Sequence, residues 1–577
     1  MTHPQVDPPR NPTTPRDSYE RIGAAQWLGA HPSPAGTEAL TLAAQREADD
    51  RVKAAMLTSL ERLGSDLDRF LSPTELVTTA HNAMSKKSSH SRAIDWLAID
   101  TLPPIRWRDG DPVDSNVVRW FLHSAAKNKS ARPSPILQRH FSDMNGADTR
   151  AFGEALLLAW IDHDLALEGR GSARTSQGLL ALVAPCASPV IIDHARSYVQ
   201  TYRGKRASQS KALIEMLAWM DDSSAVQTVM SMAHRYQPRA LQQEAARQIA
   251  QVADHKGWTT EQLADRSVPT GGFDRTGTLT LDYGSRTFTA KLTNDLDITI
   301  VEDSTGKSLR SMPRGRADED AAAIGHAKGI LKDAITDIRS AVKHQPLRLR
   351  RAMATERVWS GTDFQQFVLD HPVMLRLASR VLWSTDVPGG EIIFRPLIDG
   401  TLLTLDDDHF VLVGNDVKIL HGQRLDPETR SRALVHLRDY EVAPLISQLD
   451  PIGIVVAKGQ RTIDLVAGSE LSANLLASRA RALGWQVADN LRSFVGVFLQ
   501  FADLGLEAIL AVDGGLHLGG YEYSDHRCRL GNLFVVESGS AAHGEYAAVD
   551  LSELSPVLLT EIVRDVHSIC GQSSGAD

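Results

Sequence analysis

Residues 270–309, TGGFDRTGTLTLDYGSRTFTAKLTNDLDITIVEDSTGKSL, decide how the second half of the chain is read. Leu279, Leu281, Tyr283, Phe288 and Leu292 fall among polar neighbours and mark strands. Asp274–Gly277, Gly284–Ser285, Asn294–Asp295 and Thr305–Gly306 mark the turns between them. Alternation of period two with short turns predicts an antiparallel meander. Just downstream the period changes. Leu331, Ile335, Ile338 and Val342 share one face of a helix that Pro346 is expected to end.

Beyond that helix the pattern is mixed α+β. Ile392–Phe394, Thr401–Leu405 and Val411–Val413 read as strands. Asp426–Pro427 opens a helix through Leu434 and Leu437, and a second helix runs from Ser469 to Gly484. Val495–Phe501, Ala508–Val512 and Leu533–Val536 are further strands. Ser555–Pro556 caps a last helix with Leu559, Ile562, Val566 and Ile569 on its apolar face. Strands and helices do not alternate strictly, so α+β fits better than a doubly wound sheet.

Upstream of Gly257 the texture is helical. Val52, Met56, Leu60, Leu63, Leu67 and Phe70 form the stripe of one long helix, and Pro73, Pro103, Pro104, Pro112, Pro133 and Pro135 punctuate shorter ones. Three short stripes follow in sequence. They are Leu213–Met216–Leu217–Met220, Val226–Val229–Met230–Ala233 and Leu241–Ala245–Ile249–Val252, separated by Asp222–Ser223 and by Pro238. Short helices joined by brief turns bury their apolar faces by stacking on neighbours, the arrangement of an α-solenoid of HEAT-like repeats. The expected fold is therefore multidomain: a HEAT-like α-solenoid N-terminal half followed by an α+β C-terminal region with an antiparallel meander. Its expected parts are a disordered Pro-rich leader (1–16), a helical region (17–145), HEAT-like repeats (146–256), an α+β core (257–450) and a C-terminal α+β subdomain (451–577).

Composition narrows the function classes. The 577 residues carry 62 Lys+Arg and 71 Asp+Glu, a net charge of −9, with 42% hydrophobic and 23% charged residues. These values are those of a multidomain globular protein, not of a collagen, a coiled-coil rod or a disulfide scaffold. Mild acidity argues against bulk electrostatic binding to nucleic acid or anionic lipid. Cys186, Cys528 and Cys570 are far apart and form no CxxC pair. Three thiols, a leader without an apolar core and the lack of an 18-residue apolar run lead to the expectation of a cytoplasmic protein.

No motif names a reaction. Gly306-Lys307-Ser308 resembles the end of a phosphate-binding loop, but the first glycine of that motif would fall at Val301, and Pro313 and Gly315 follow where a helix should start. His543-Gly544-Glu545 matches half of a zinc-deaminase signature whose P-C-x-x-C half is missing. Asp406–Asp408 and Asp274–Gly277 lack the ligand spacing of a calcium loop and read as turns. No catalytic residue, metal or cofactor is assigned. What remains is charge. Arg339, Lys343, Arg348, Arg350, Arg351 and Arg357 fall in a stretch whose one acid is Glu356, and Arg196, Arg203, Lys205, Arg206 and Lys211 form an acid-free run. Of these, Arg339, Lys343, Arg348, Arg350 and Arg351 are the candidate anion- or partner-binding residues, because phosphate contacts need such clusters.

Five blocks carry a family resemblance: KGWTTEQLADRSVPTGGFDRTGTLTLDYGSRTF from Lys256, Arg351-Ala352-Met353, RVWSGTDFQQFVLDHPVMLRLASRVLW from Arg357, LDPETRSRALVHLRDYEVAPLISQL from Leu425 and, more weakly, LSPVLLTEIVRDV from Leu554. Together they resemble the bacterial domain of unknown function 4132, the core of molybdate-metabolism-regulator-like proteins. Helical repeats typically precede that domain, and its genes often accompany those for MoxR-type AAA+ ATPases and von Willebrand A-domain proteins. The resemblance implies a scaffold or adaptor for such partners and brings no catalytic residues with it. Two alternatives stay open at this level: a nucleic-acid-associated regulator using the basic cluster, and an uncharacterised enzyme in the C-terminal half.

Overall fold

The computed structural model describes residues 18–47, 49–167, 173–202, 204–235, 239–316, 319–450, 453–487, 496–513, 527–538 and 547–571. The leader at 1–16, Pro238 and His543–Glu545 lie outside them. The chain divides into two compact units, Met1–Ser267 and Val268–Asp577. The division falls beyond the texture change at Gly257 because Thr259 opens one more helix, Thr260–Arg266, with a capping box completed by Gln262.

The first unit is helical. Its prolines start helices more often than they break them. Ser33-Pro34, Ser72-Pro73 and Ser134-Pro135 each place a hydroxyl at the N-cap and a proline in the first turn, where a missing N–H is harmless. The stripe from Val52 to Phe70 is not one helix. Asp50–Arg62 ends at Gly64, whose φ of 73° lets Ser65 N turn back to Leu60 O, and a short helix, Asp68–Leu71, follows. This N-terminal part has its own small core around Ala25, Leu40, Val52, Leu57 and Leu60. From Gly146–Ala166 onward, the helices Pro189–Tyr202, Ala207–Ala218, Ser223–Arg235 and Arg239–Lys256 pack in succession on a second core holding Phe152, Trp160, Leu213, Leu217, Val229 and Ile249. Asp222 caps the third of these four, accepting from Ser224 N and Ala225 N at 2.8 and 3.0 Å.

The second unit holds three antiparallel sheets. The first is the meander, strands β1 (Thr278–Asp282), β2 (Thr287–Leu292), β3 (Ile298–Glu302) and β4 (Lys307–Leu309), in sequence order. Leu281 faces Phe288 across β1–β2. Their buried faces share a core with Leu331, Ala334 and Ile338 of a 34-residue helix, Ala321–Ala354. The second sheet contains β5 (Val358–Trp359), β6 (Trp383–Val387), β7 (Gly390–Pro396), β8 (Leu402–Thr404), β9 (His409–Phe410) and β10 (Val417–Ile419), ordered β5-β10-β6-β7-β8-β9. The third has β11 (Thr462–Ile463), β12 (Glu470–Ser472), β13 (Gln486–Val487), β14 (Gly496–Phe501), β15 (Leu506–Asp513) and β16 (Arg527–Glu537), ordered β11-β16-β15-β14-β13 with β12 also on β16. One face of this sheet shares a core with the helices Ala473–Ala482 and Pro556–Cys570.

Three local readings change. The 34-residue helix does not stop at Pro346 but runs eight residues further, because Leu349, Ala352 and Met353 beyond the proline are buried and hold the last turns in place. Val411–Val413 is not a strand. Leu412 packs inward while Val411 and Val413 stay exposed, so the run connects β9 to β10. The helix expected from Ser469 begins at Ala473, because Glu470–Ser472 pair with β16 instead.

Candidate functional site

The 34-residue helix is about 51 Å long at 1.5 Å per residue. It separates the basic residues singled out in the sequence. Arg339 and Lys343 lie one turn apart and are exposed. Arg348 is half-buried and donates to Gln345 Oε1 at 2.8 Å. Past the proline, Arg350 and Arg351 turn inward. The five therefore do not form one continuous exposed surface.

Arg350 meets the buried side of the helix Pro556–Cys570. Its Nε donates to Glu561 Oε2 at 2.8 Å and a terminal nitrogen lies 2.5 Å from Asp565 Oδ1. Glu561 and Asp565 are one helical turn apart, so a forked guanidinium spans both carboxylates. Arg351 donates to Leu483 O at 2.6 Å and stands 3.6 Å from Asp565 Oδ2, with its guanidinium 5.5 Å from the centre of the Phe501 ring. Trp485 Nε1 donates to the same Asp565 Oδ2 at 2.7 Å. Glu561 is further held by Arg564 at 2.9 Å and by His421 Nε2 at 3.4 Å. Because His421 Nδ1 accepts from Gln423 N, the neutral imidazole carries its proton on Nε2 and donates it to Glu561. Both acids are buried, at 3% and 2% exposure.

Burial pushes the Glu561 carboxyl up, but the His421 hydrogen bond and the charges of Arg350 and Arg564 outweigh it and hold the group below its usual range. Burial pulls Arg351 down to about 10 against the opposing pull of Asp565. Burial also pulls on Arg350, yet Asp565 and Glu561 beside it raise it overall.

A second contact joins the same helices at their ends. The 34-residue helix closes on Thr355, and Glu356 takes a left-handed φ of 50°, a place usually given to glycine. Its carboxylate receives two hydrogen bonds from Arg424, each 2.9 Å, and one from Ser555 Oγ at 2.5 Å. Ser555 is itself the N-cap of Pro556–Cys570. Arg350, Arg351, Glu356, Arg424, Ser555, Glu561 and Asp565 thus draw four of the sequence blocks quoted above, or residues beside them, into one charged junction. Its chemistry is that of a clamp. Each carboxylate already meets more than one cation or hydrogen-bond donor, and a substrate would have to displace an ion pair to enter.

Sequence reading missed Glu561, Asp565, Arg564, His421 and Trp485. A signal existed in the last helix, which buries residues on nearly every side from Val557 to Val566. Acids at spacing i, i+4 in such a segment need internal cations.

The remaining candidates resolve into local structure. Gly306, φ 68°, sits in the β3–β4 turn and Lys307 lies in β4 opposite Glu302, so no helix follows the glycine–lysine–serine run. Lys307→Ala is expected to change stability by no more than about 0.5 kcal/mol, as for other exposed positions. A larger loss in a thermal melt, or ATP hydrolysis abolished by this substitution, would contradict the hairpin. Asp274 accepts from the amides and hydroxyls of Thr276 and Thr278, and these bonds, led by the Thr278 amide, hold its carboxyl at about 2. In the second basic run Arg196 pairs with Asp193 and Arg206 with buried Asp164, while Arg203 lies outside the described residues. Among the described residues no group of three His, Cys, Asp or Glu side chains is placed to hold a metal ion. No helix among them is long and apolar enough to cross a membrane. The helical unit carries a cleft of about 430 Å³ bordered by Arg108, Phe141, Asn145, Thr149, Arg150 and Cys186.

Residues 306–485 match the family model described as "Domain of unknown function (DUF4132)". That span covers the whole of the 34-residue helix, all of the second sheet and the start of the third. The chain is 28% identical over 263 residues to the uncharacterized protein YehI of Escherichia coli (strain K12), which is 44% of this chain and 22% of that protein. No solved structure matches. The chain is thus similar to a domain of unknown function across residues 306–485, and it carries a helical unit and most of the third sheet outside that match.

Proposed function

We propose that the chain is a protein-interaction scaffold whose helical unit serves as a HEAT-like docking array. One observation carries this reading. The four helices from Pro189 to Lys256 pack on one another: Ala207–Ala218 is buried on nearly every side, while Pro189–Tyr202 and Arg239–Lys256 leave a polar side outward. Arrays of this kind present extended surfaces to partners. In Arg239–Lys256 the outward side carries Gln243, Arg247, Gln251 and Asp254. The partners implied by the resemblance are a MoxR-type AAA+ ATPase and a von Willebrand A-domain protein. A scaffold with no motor of its own would couple to their ATP-driven work. A nucleic-acid role draws less support, since Arg350 and Arg351 are already neutralised inside the protein.

Co-expression with each partner, followed by affinity purification and size-exclusion chromatography, tests the proposal. Co-elution is expected, with Arg247→Glu plus Asp254→Lys weakening it at least about tenfold, as for reversed charges at an interface, while the melting curve stays unchanged. Failure of both partners to co-elute, with or without ATP and magnesium, would remove the proposal.

A further inference from the structure

The first helix, Ser18–Ala30, is only weakly amphipathic. Its inward side is ordinary. Ala25 is buried, Ile22 and Leu28 pack on the small N-terminal core, and Gly29 lies so close to Ser59 that a Cβ there would sit 2.8 Å from the serine Cβ. Among the described residues no element covers its outward side, and a helix face left to solvent is ordinarily polar. This one is not polar. Tyr19 is 81% exposed and Trp27 60% exposed, with exposed Gly23, Ala24 and Ala30 on the same side. The indole is also held in place. His31 stacks on it at 4.4 Å and 23°, and His31 Nδ1 bonds back to Trp27 O at 2.9 Å.

Tyr19, Gly23 and Trp27 occupy one i, i+4, i+8 row, the ridge that interdigitates when two helices cross at about −50°. The row spans about 12 Å. Its centre is a glycine around whose absent Cβ nothing lies within 4 Å. A two-fold axis through Gly23 that runs the helices antiparallel places Tyr19 of one copy against Trp27 of the other, twice, and lets the backbones approach at the two glycines. The same operation sets Glu20 against Gln26. A parallel pairing would instead set Glu20 against Glu20 and like ring against like ring. The row is therefore complementary to itself in one orientation, as an isologous interface requires.

We infer that Ser18–Ala30 is a self-association surface whose occupant is the same helix of a second copy, crossed antiparallel at Gly23. Four aromatic side chains of about 150–250 Å² each bury at most about 1,000 Å², below the usual size of a stable interface. The dimer is therefore weak and concentration-dependent.

Sedimentation of the full chain from about 1 to 100 μM reads the association directly. The mass should rise toward that of a dimer over this range, and Trp27→Glu should abolish the rise without altering the circular dichroism spectrum. Orientation is read by cysteine placement on the wild-type background. Gly23→Cys should form an intermolecular disulfide on mild oxidation and Glu20→Cys should not, while Glu20→Cys together with Gln26→Cys should cross-link. A wild-type chain that stays monomeric throughout overturns the inference. So does equal cross-linking through Cys at 20 and at 23. Dimerisation that begins only after residues 1–16 are removed would assign the aromatic row to the chain's own N-terminal segment and overturn it equally.

Discussion

Arg350→Ala is expected to destabilise the unit formed by residues 268–577 by about 3 kcal/mol, the lower part of the range for breaking a buried ion pair. The reason lies in what is left behind. Glu561 and Asp565 stay buried after the substitution and lose the group that bridges them. Compensation is partial. Glu561 retains Arg564 and His421, and Asp565 retains Trp485 and the more distant Arg351. Arg350→Lys should recover less than half of the loss, since one ammonium can meet one carboxylate but not two a turn apart. Combining Arg350→Ala with Asp565→Asn should cost less than the two singles added together, with a coupling of about 1–3 kcal/mol. Hydrogen exchange is the suitable measurement because it reports this unit apart from the helical one. Amides of Pro556–Cys570 and of the last turns before Ala354 should lose protection first. Protection within about 0.5 kcal/mol of wild type would mean that the clamp is not what fixes the last helix.

The same cluster shows where sequence reading stops. Periodicity reports one face of one element, so Leu281, Phe288 and Leu292 disclosed the meander and Leu331 and Ile338 the helix that covers it. Cap chemistry is equally local, and Asp426-Pro427 and Ser555-Pro556 marked two helix starts to the residue. Charge is different. A run of arginines says that cations are present, not which way they point. Arg339 and Arg350 are eleven positions apart on one helix, and only the second finds acids, more than two hundred residues away in sequence. Pro346 misleads for the opposite reason. Its local penalty is real, but buried Leu349, Ala352 and Met353 draw the chain onward as helix. In Val411–Val413 a β-prone run lacks a neighbouring strand to pair with, and propensity alone does not make a sheet. The divided stripe from Val52 to Phe70 turned on one glycine, Gly64, whose left-handed backbone ends the helix inside a pattern that continues past it.

In the helical unit the largest effect is expected at Asp164. This carboxylate is fully buried and gathers four donors: Tyr198 Oη at 2.5 Å, Arg206 at 2.6 Å, and Gln209 Nε2 and Ala173 N, each at 3.0 Å. The donors come from the segment after Gly146–Ala166, from Pro189–Tyr202 and from the start of Ala207–Ala218, so one side chain ties together helices that share the second core. Asp164→Ala strands all four and leaves Arg206 beside an apolar wall, at a cost of about 3–5 kcal/mol. Tyr198→Phe removes one donor and should cost about 1 kcal/mol. Burial pushes the Asp164 carboxyl up, but Tyr198, Ala173, Gln209 and Arg206 together hold it below its usual range. A carboxyl depressed in the folded state contributes stability above its unfolded pKa of about 3.9 and loses that contribution as pH falls through the folded value. The gap between wild type and Asp164→Ala, followed by hydrogen exchange of residues 173–218, should therefore be full near neutral pH and narrow as the pH drops below about 4. Asp164→Asn separates charge from shape, since it keeps one acceptor and turns an N–H toward Arg206, and it should fall between the other two. A gap that persists unchanged into strong acid would show that the ionised carboxylate is not what holds these helices, and that their packing does.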